Sequence, residues 1–203
     1  MKTELYNIWK SFLTWVGDIY MATEPPLCKA KNIEEMMEVI DAGDIICRGY
    51  NYYLDSHFIP GDYTHSGIVI NKREMIHSIA EGVQSIHPID FVKDTDRFCV
   101  IRPQYSGNSV HMAIDRAIWH CEANKTEYDF TFKEDGKFYC HEFTADCLEY
   151  AGIRIPKFTK VFGVWPFKFE RKLYLASSFL ILPEKQMKVL YVMKEEKDGK
   201  NCR

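Results

Sequence analysis

The chain has 203 residues, a formal net charge of −3, and 46% hydrophobic and 14% aromatic residues. That length suits one domain with a real core, and a near-neutral charge lacks the basic footprint of a nucleic-acid binder. Seven cysteines at irregular spacing, with no CxxC pair, argue against a disulfide framework or a zinc site and for a reducing compartment. The expected location is therefore the cytoplasm.

The first segment, LYNIWKSFLTWVGDIYMA, places Leu5, Ile8, Trp9, Phe12, Trp15, Val16 and Ile19 at helical spacing. Lys10 and Asp18 interrupt its apolar run, so it reads as an amphipathic helix rather than a signal peptide. Pro25 and Pro26 end it, and Asn32 is the expected cap of a short helix, IEEMMEVI. The pattern then changes to strands. DIICR, THSGIVI, EMIHSI and RFCVIRP each have strand character, with an aromatic loop, GYNYYLDSHFIPGDY, after the first. Between the last two, AEGVQSIHPIDFV continues the sheet into a turn or short helix. Ser109 to about Glu122 has helical period, YDFTF is an expected strand, and FYCHEFTADCLEY is a helix ending at Gly152. Its expected apolar stripe is Tyr139, Phe143, Cys147 and Tyr150. MKVLYVM is a last strand, and 194–203 reads as a frayed tail. LYLASSFLIL is far shorter than the roughly 20 residues of a membrane span. The expected fold class is α+β with a mainly antiparallel sheet, in one domain: N-terminal helices to residue 42, a core over 43–193, then the tail.

FYCHEF carries the chemistry. Cys140 opens a helix, where unpaired backbone N–H groups and the helix dipole favour a thiolate and offer donors to an oxyanion. His141 is its neighbour in sequence but a poor partner, because adjacent helical side chains diverge by about 100°. A better base lies 75 residues earlier. His65 and His77 are 12 apart on consecutive strands, and a hairpin centred near Asn71 brings them nearly opposite on one face. Gly67 shares that face and leaves room beside His65. One imidazole would take the thiol proton while the other orients it. His57, His87, His111 and His120 show no such pattern. A metal held by His65, His77 and Cys140 would need further ligands that no spacing singles out.

The stretch GDIICRGYNYYLDSHFIPGDYTHSGIVI, followed by MIHSIAEGV and FYCHEF, resembles the YiiX-like branch of the NlpC-type amidohydrolases. The resemblance runs from about Gly43 to Gly152. It implies a circularly permuted papain-like fold with Cys140 as nucleophile, His65 as base and His77 as third residue, and no metal or organic cofactor. The chain departs from that branch at His77, where glutamate is usual. Histidine is the choice in lecithin:retinol acyltransferase-like relatives of the same fold. Glu81 is the fallback third residue, and His141 replaces a small serine and is expected at the pocket rim. Glu142 matches the branch's glutamate and is expected to be structural. Tyr63, on the strand face of His65, and Tyr139, with the aromatic loop, are candidate pocket walls.

The expected activity is thiol-dependent hydrolysis of an amide in a small peptide-like substrate. The alternatives are a lipid-like acyl substrate and an inactive binding module. The basic and aromatic stretch from Lys157 to Lys172 makes peripheral membrane contact a candidate for the lipid reading.

Overall fold

Isoleucine, valine and cysteine alternate between two buried faces along the central strands, and helices cover both faces. The structure is a computed structural model that describes residues 25–51, 61–130, 136–162 and 169–193, together with residues 8 and 11. The expected N-terminal helix, most of the aromatic loop and the tail lie outside the described residues, apart from Ile8 and Ser11, which are helical.

In chain order the elements are α1 (Ala30–Val39), β1 (Ile45–Gly49), β2 (His65–Asn71), β3 (Glu74–Ile79), β4 (Gly82–Ile86), α2 (Pro88–Val92), β5 (Arg97–Pro103) and α3 (Ser109–Ile118), which runs on as a π-helical turn, Trp119–Ala123. Then come α4 (Cys140–Tyr150), β6 (Phe158–Phe162), β7 (Phe169–Leu173), α5 (Ala176–Leu180) and β8 (Met187–Val192). Six strands form one sheet in the order β4-β3-β2-β1-β5-β8, with every neighbouring pair antiparallel. β6 and β7 form a separate hairpin. The mixed architecture is the α+β class expected from the sequence.

On one face Ile46, Val69, Met75, Phe98 and Val100 pack with Met36 and Ile40 near α1 and Phe91 and Val92 of α2. On the other face Ile45, Cys47, Cys99 and Ile101 pack with Ala145 and Leu148 of α4, and Ile68 and Ile76 pack with Phe143 and Cys147. Phe91, Phe98, Phe143 and Phe179 are fully buried, each worth about 1.5–3 kcal/mol of hydrophobic stabilisation.

Four local expectations differ from the structure. α1 starts at Ala30, and Asn32 lies one turn in, its Oδ1 accepting from Lys29 N at 2.9 Å. Tyr128–Phe130 is not a strand. Its neighbours spend their backbone on single bonds, Val83 N to Thr126 O and Phe138 N to Glu127 O, instead of a ladder. The helix from Ser109 gives way to the π turn at Trp119, where Asn124 N reaches back to Trp119 O. Tyr150 leaves the apolar stripe of α4, being 54% exposed, and stacks under the Arg116 guanidinium at 5.1 Å. The buried face follows Leu148 and Ala151 instead.

The start of β1 is fixed by a carboxylate. Asp44, 1% exposed, takes Arg102 Nε and Nη2 in a two-point grip at 2.8 and 2.7 Å and accepts from Asp41 N. Arg102 also donates to Val39 O, so one ion pair ties α1, β1 and β5. Removing one partner of such a pair strands the other. Asp44→Ala is expected to lower stability by about 3 kcal/mol in urea denaturation, and a change within error would show that the ion pair contributes nothing.

Candidate active site

The β2–β3 hairpin turns at Lys72 and Arg73, with an irregularity between Val69 and Asn71, and pairs Gly67 with His77. His77 therefore faces Gly67, two residues further along β2 than a hairpin centred on Asn71 would place it. His65 meets His77 on the diagonal rather than directly across. Diagonal neighbours are about 7–8 Å apart at the backbone, a gap that two imidazoles can close. They do so: His65 Nε2 and His77 Nδ1 share a hydrogen bond of 2.9 Å, with the rings edge to face at 77°. A Cβ on Gly67 would lie 2.8 Å from Ile76 O and 3.1 Å from His77 Cβ, so the missing side chain is what gives His77 its place.

Cys140 is the first residue of α4 and is 2% exposed. Its thiol donates to Thr64 O at 3.6 Å. The backbone N–H groups of Ser66, His141 and Cys140 itself also act on the sulfur, in the direction that favours a thiolate. The sulfur thus lies against the short peptide segment that carries His65, flanked by groups of Thr64 and Ser66. The structure brings the two imidazoles together and docks the thiol beside the strand that bears them. The thiol's hydrogen bond goes to that strand's carbonyl rather than to a ring.

The resting charges follow from burial. Burial pushes the Cys140 thiol up to about 12, against the smaller opposing pulls of the backbone amides and Arg48. His65 lies well below the ordinary histidine value, first through burial and then through Arg48, His77 and His141. His77 falls to about 3 through burial and then Arg48. All three groups rest neutral at neutral pH, so the thiol is not held as a preformed thiolate.

The remaining candidates are placed as follows. His141 is 1% exposed and lies inside the fold, not at a rim. Its Nδ1 shares a 2.8 Å hydrogen bond with Ser66 Oγ, which also meets Thr144 Oγ1 at 3.0 Å and Cys140 O at 3.4 Å. That network pins the first turn of α4 to β2 one residue from His65. Burial lowers His141 to about 4, against a smaller opposing pull from a hydrogen bond with the Tyr63 backbone. Tyr63 precedes the first residue of β2, so strand alternation does not govern it. It packs with the Cys47, Cys99 and Cys140 cluster on the α4 face, whereas the His65 ring lies against Phe91 on the other. Tyr139 is buried at the N-cap, its hydroxyl accepting from Tyr174 N at 2.6 Å and donating to Tyr174 O at 3.2 Å. Glu81 is exposed in the β3–β4 turn. A cavity of about 290 Å³ is lined by Glu142, Asp146, Glu149, Lys137, Lys157 and Tyr174 among others, and by none of Cys140, His65 or His77. Among the described residues no three His, Cys, Asp or Glu side chains are grouped to hold a metal ion.

Sequence reasoning passed over Arg48, Ser66 and Phe91. Arg48 pairs across β1–β2 with His65, which the alternation of DIICR against THSGIVI encodes once the register is known. Ser66 is a small polar residue on an otherwise apolar strand face, a signal in its own right.

His65, His77 and His141 each bind protons less readily when folded than when unfolded. Between about pH 6.5 and 4 the unfolded chain gains protons that the folded one refuses, so stability falls as pH falls. The melting temperature is expected to drop by about 10 °C from pH 7 to pH 5; a flat or rising profile would contradict neutral burial of these imidazoles.

No curated protein and no solved structure matches the chain. The sequence profile of a permuted papain-like amidase family, Peptidase_C92 (YaeF/YiiX), matches residues 39–192, which takes in every strand of the six-stranded sheet, His65, His77 and all of α4. With that span of its 203 residues matched, the chain belongs to the permuted papain-like amidases and is a cysteine peptidase/amidase-like hydrolase.

Proposed function

We propose that the chain hydrolyses an amide bond through a thioester on Cys140, with His65 as general base and His77 as the residue that orients it. The observation that supports this most is the 2.9 Å imidazole pair beside the segment on which the thiol is docked. His65 spends Nε2 on His77, which leaves Nδ1 for the thiol. For Nδ1 to accept a proton, Nε2 must carry the hydrogen and donate it to His77 Nδ1, and a neutral His77 is the required acceptor. In the resting structure the thiol is on Thr64 O and the His65 ring lies against Phe91 on the opposite sheet face, so thiol and ring must be brought together in the substrate complex.

The cycle then balances. Cys140 gives its proton to His65 and its sulfur attacks the carbonyl carbon, while first-turn N–H groups of α4, which lack helical partners, receive the oxyanion. The tetrahedral species collapses, the C–N bond breaks, and His65 hands the proton to the leaving amine. Water, losing a proton to the same imidazole, attacks the thioester. The acid departs and the thiol is restored. Cysteine suits a weak histidine–histidine pair because it is intrinsically more nucleophilic than serine and needs less help from its base.

The proposed substrates are peptide-like, including isopeptides and cell-wall-type peptides. A lipid acyl group is the competing substrate. The β6–β7 hairpin bears on that choice: Lys160 pairs with Arg171, and Phe158, two residues from Lys160, shares its face. Basic and aromatic residues are mixed on one face, whereas interfacial insertion calls for separate apolar and polar faces, and this favours the amide.

With muropeptides, isopeptides and dispersed phospholipids offered in parallel, turnover is expected on an amide, with an acyl adduct on the wild-type chain seen by intact mass. Cys140→Ala should abolish both. His65→Ala should lower kcat about 10³-fold and His77→Leu about 10²-fold, with KM little changed. Gly67→Ala should also lose at least about tenfold by displacing His77. Turnover that survives Cys140→Ala would refute the proposal.

A further inference from the structure

Cys140 and His141 share the first turn of α4, and each reaches β2 in its own way. The thiol bonds to Thr64 O, whereas the His141 ring, 1% exposed, bonds on either side of that point. Its Nδ1 shares a 2.8 Å hydrogen bond with Ser66 Oγ, and the ring is also hydrogen bonded with the Tyr63 backbone. Phe179 of α5 packs edge on against it, ring centroids 6.2 Å apart. Ser66 Oγ carries the link onward to Thr144 Oγ1 at 3.0 Å and Cys140 O at 3.4 Å, and Thr144 donates to the same carbonyl at 3.1 Å. One imidazole therefore bridges the two residues that flank Thr64 and His65. A buried polar ring is costly unless its bonds are made, and these bonds run to the segment that bears the site.

We propose that His141 is a positioning residue for the thiol: bonded to Ser66, it fixes the start of α4 against Thr64 and His65 and so sets where Cys140 Sγ lies. This deepens the proposed function and rests on Cys140 being its nucleophile. With the helix start held there, thiol and imidazole meet by side-chain rotation and not by a slide of α4. His141 takes no proton in the cycle; it acts through Ser66. The serine hydroxyl faces α4 while the ring of the preceding residue, His65, lies against Phe91 on the other face. A misplacement of about 1 Å at a reacting atom can cost about 10²-fold in rate, so a small slip in this link is enough to show.

The probe for the test is p-nitrophenyl acetate, a small activated carbonyl that requires no knowledge of the natural amide. Acylation of Cys140 is followed by release of p-nitrophenolate and located by peptide mapping, over a range of probe concentration and pH. His141→Leu and Ser66→Ala are each expected to lower the maximal acylation rate about tenfold or more, with the half-saturating concentration within about twofold of wild type. The double variant should lose no more than the larger single loss, because both act through one link. His141→Asn, whose amide can stand where Nδ1 does, should recover the rate to within about threefold. The pH profile should keep its midpoint in every variant. His141→Met takes the place of His141→Leu if the leucine variant does not fold. A wild-type rate in the apolar variant, losses that multiply in the double variant, or no recovery by His141→Asn would overturn the inference and leave Cys140 as nucleophile. A midpoint that moves with His141→Leu would make the ring a base and overturn it as well. If wild-type Cys140 takes no acyl group, the nucleophile assignment fails, and the inference fails with it.

Discussion

Gly67 has no side chain, and the meeting of His65 and His77 depends on that gap. His77 stands directly across from it, and a single methyl there would press on the Ile76 carbonyl and on His77 itself. With the gap open, two imidazoles from neighbouring strands meet on the diagonal and hydrogen bond at 2.9 Å. The opposite face of the same strand is spent differently. Ser66, between the histidine and the glycine, turns toward α4 and holds its first turn through His141, Thr144 and Cys140 O. Three consecutive residues of β2 thus supply an imidazole, an anchor for the helix that begins at Cys140, and a space. This is what strand alternation makes available to a sheet buried on both faces.

The electrostatics of the site follow from its dryness. With the imidazole pair and the thiol buried and an arginine fixed nearby, every ionisable group there is pushed toward its neutral form, except that Arg48 and the backbone amides lean toward a thiolate. A resting thiolate–imidazolium pair would call for a carboxylate partner, and here the group hydrogen bonded to His65 is a histidine. The arrangement is suited to generating the nucleophile only when a substrate carbonyl and the amides of α4 are in place to receive the charge. Neutral storage also keeps a buried thiol from oxidising, since the thiolate is the reactive form.

The sequence carried much of this, with errors that have physical sources. The spacing of His65 and His77 and the helix-start position of Cys140 were legible, and so was the geometric argument against His141 as the base. The register was not: a turn at Lys72 and Arg73, with one irregularity beyond Val69, moved the partner of His77 from His65 to Gly67. Tyr63 was assigned a face by alternation, yet the strand begins only at His65, and the ring packs on the other side. Arg48 was invisible because its relevance depends on the β1–β2 register and on Phe91 arriving from α2. His141 was expected at the pocket rim; its side chain instead turns inward to Ser66, a contact 75 residues away that no local pattern announces.

The central claim is that His65, far off in sequence, and not His141, activates the Cys140 thiol. The most direct measurement is the site-resolved rate of alkylation by a small thiol probe near neutral pH, read by peptide mapping for the wild type, His65→Ala and His141→Gln. The account predicts that Cys140 is modified ahead of the other buried cysteines, that His65→Ala removes this selectivity, and that His141→Gln largely retains it. Equal labelling of several cysteines, unchanged by His65→Ala, would contradict it.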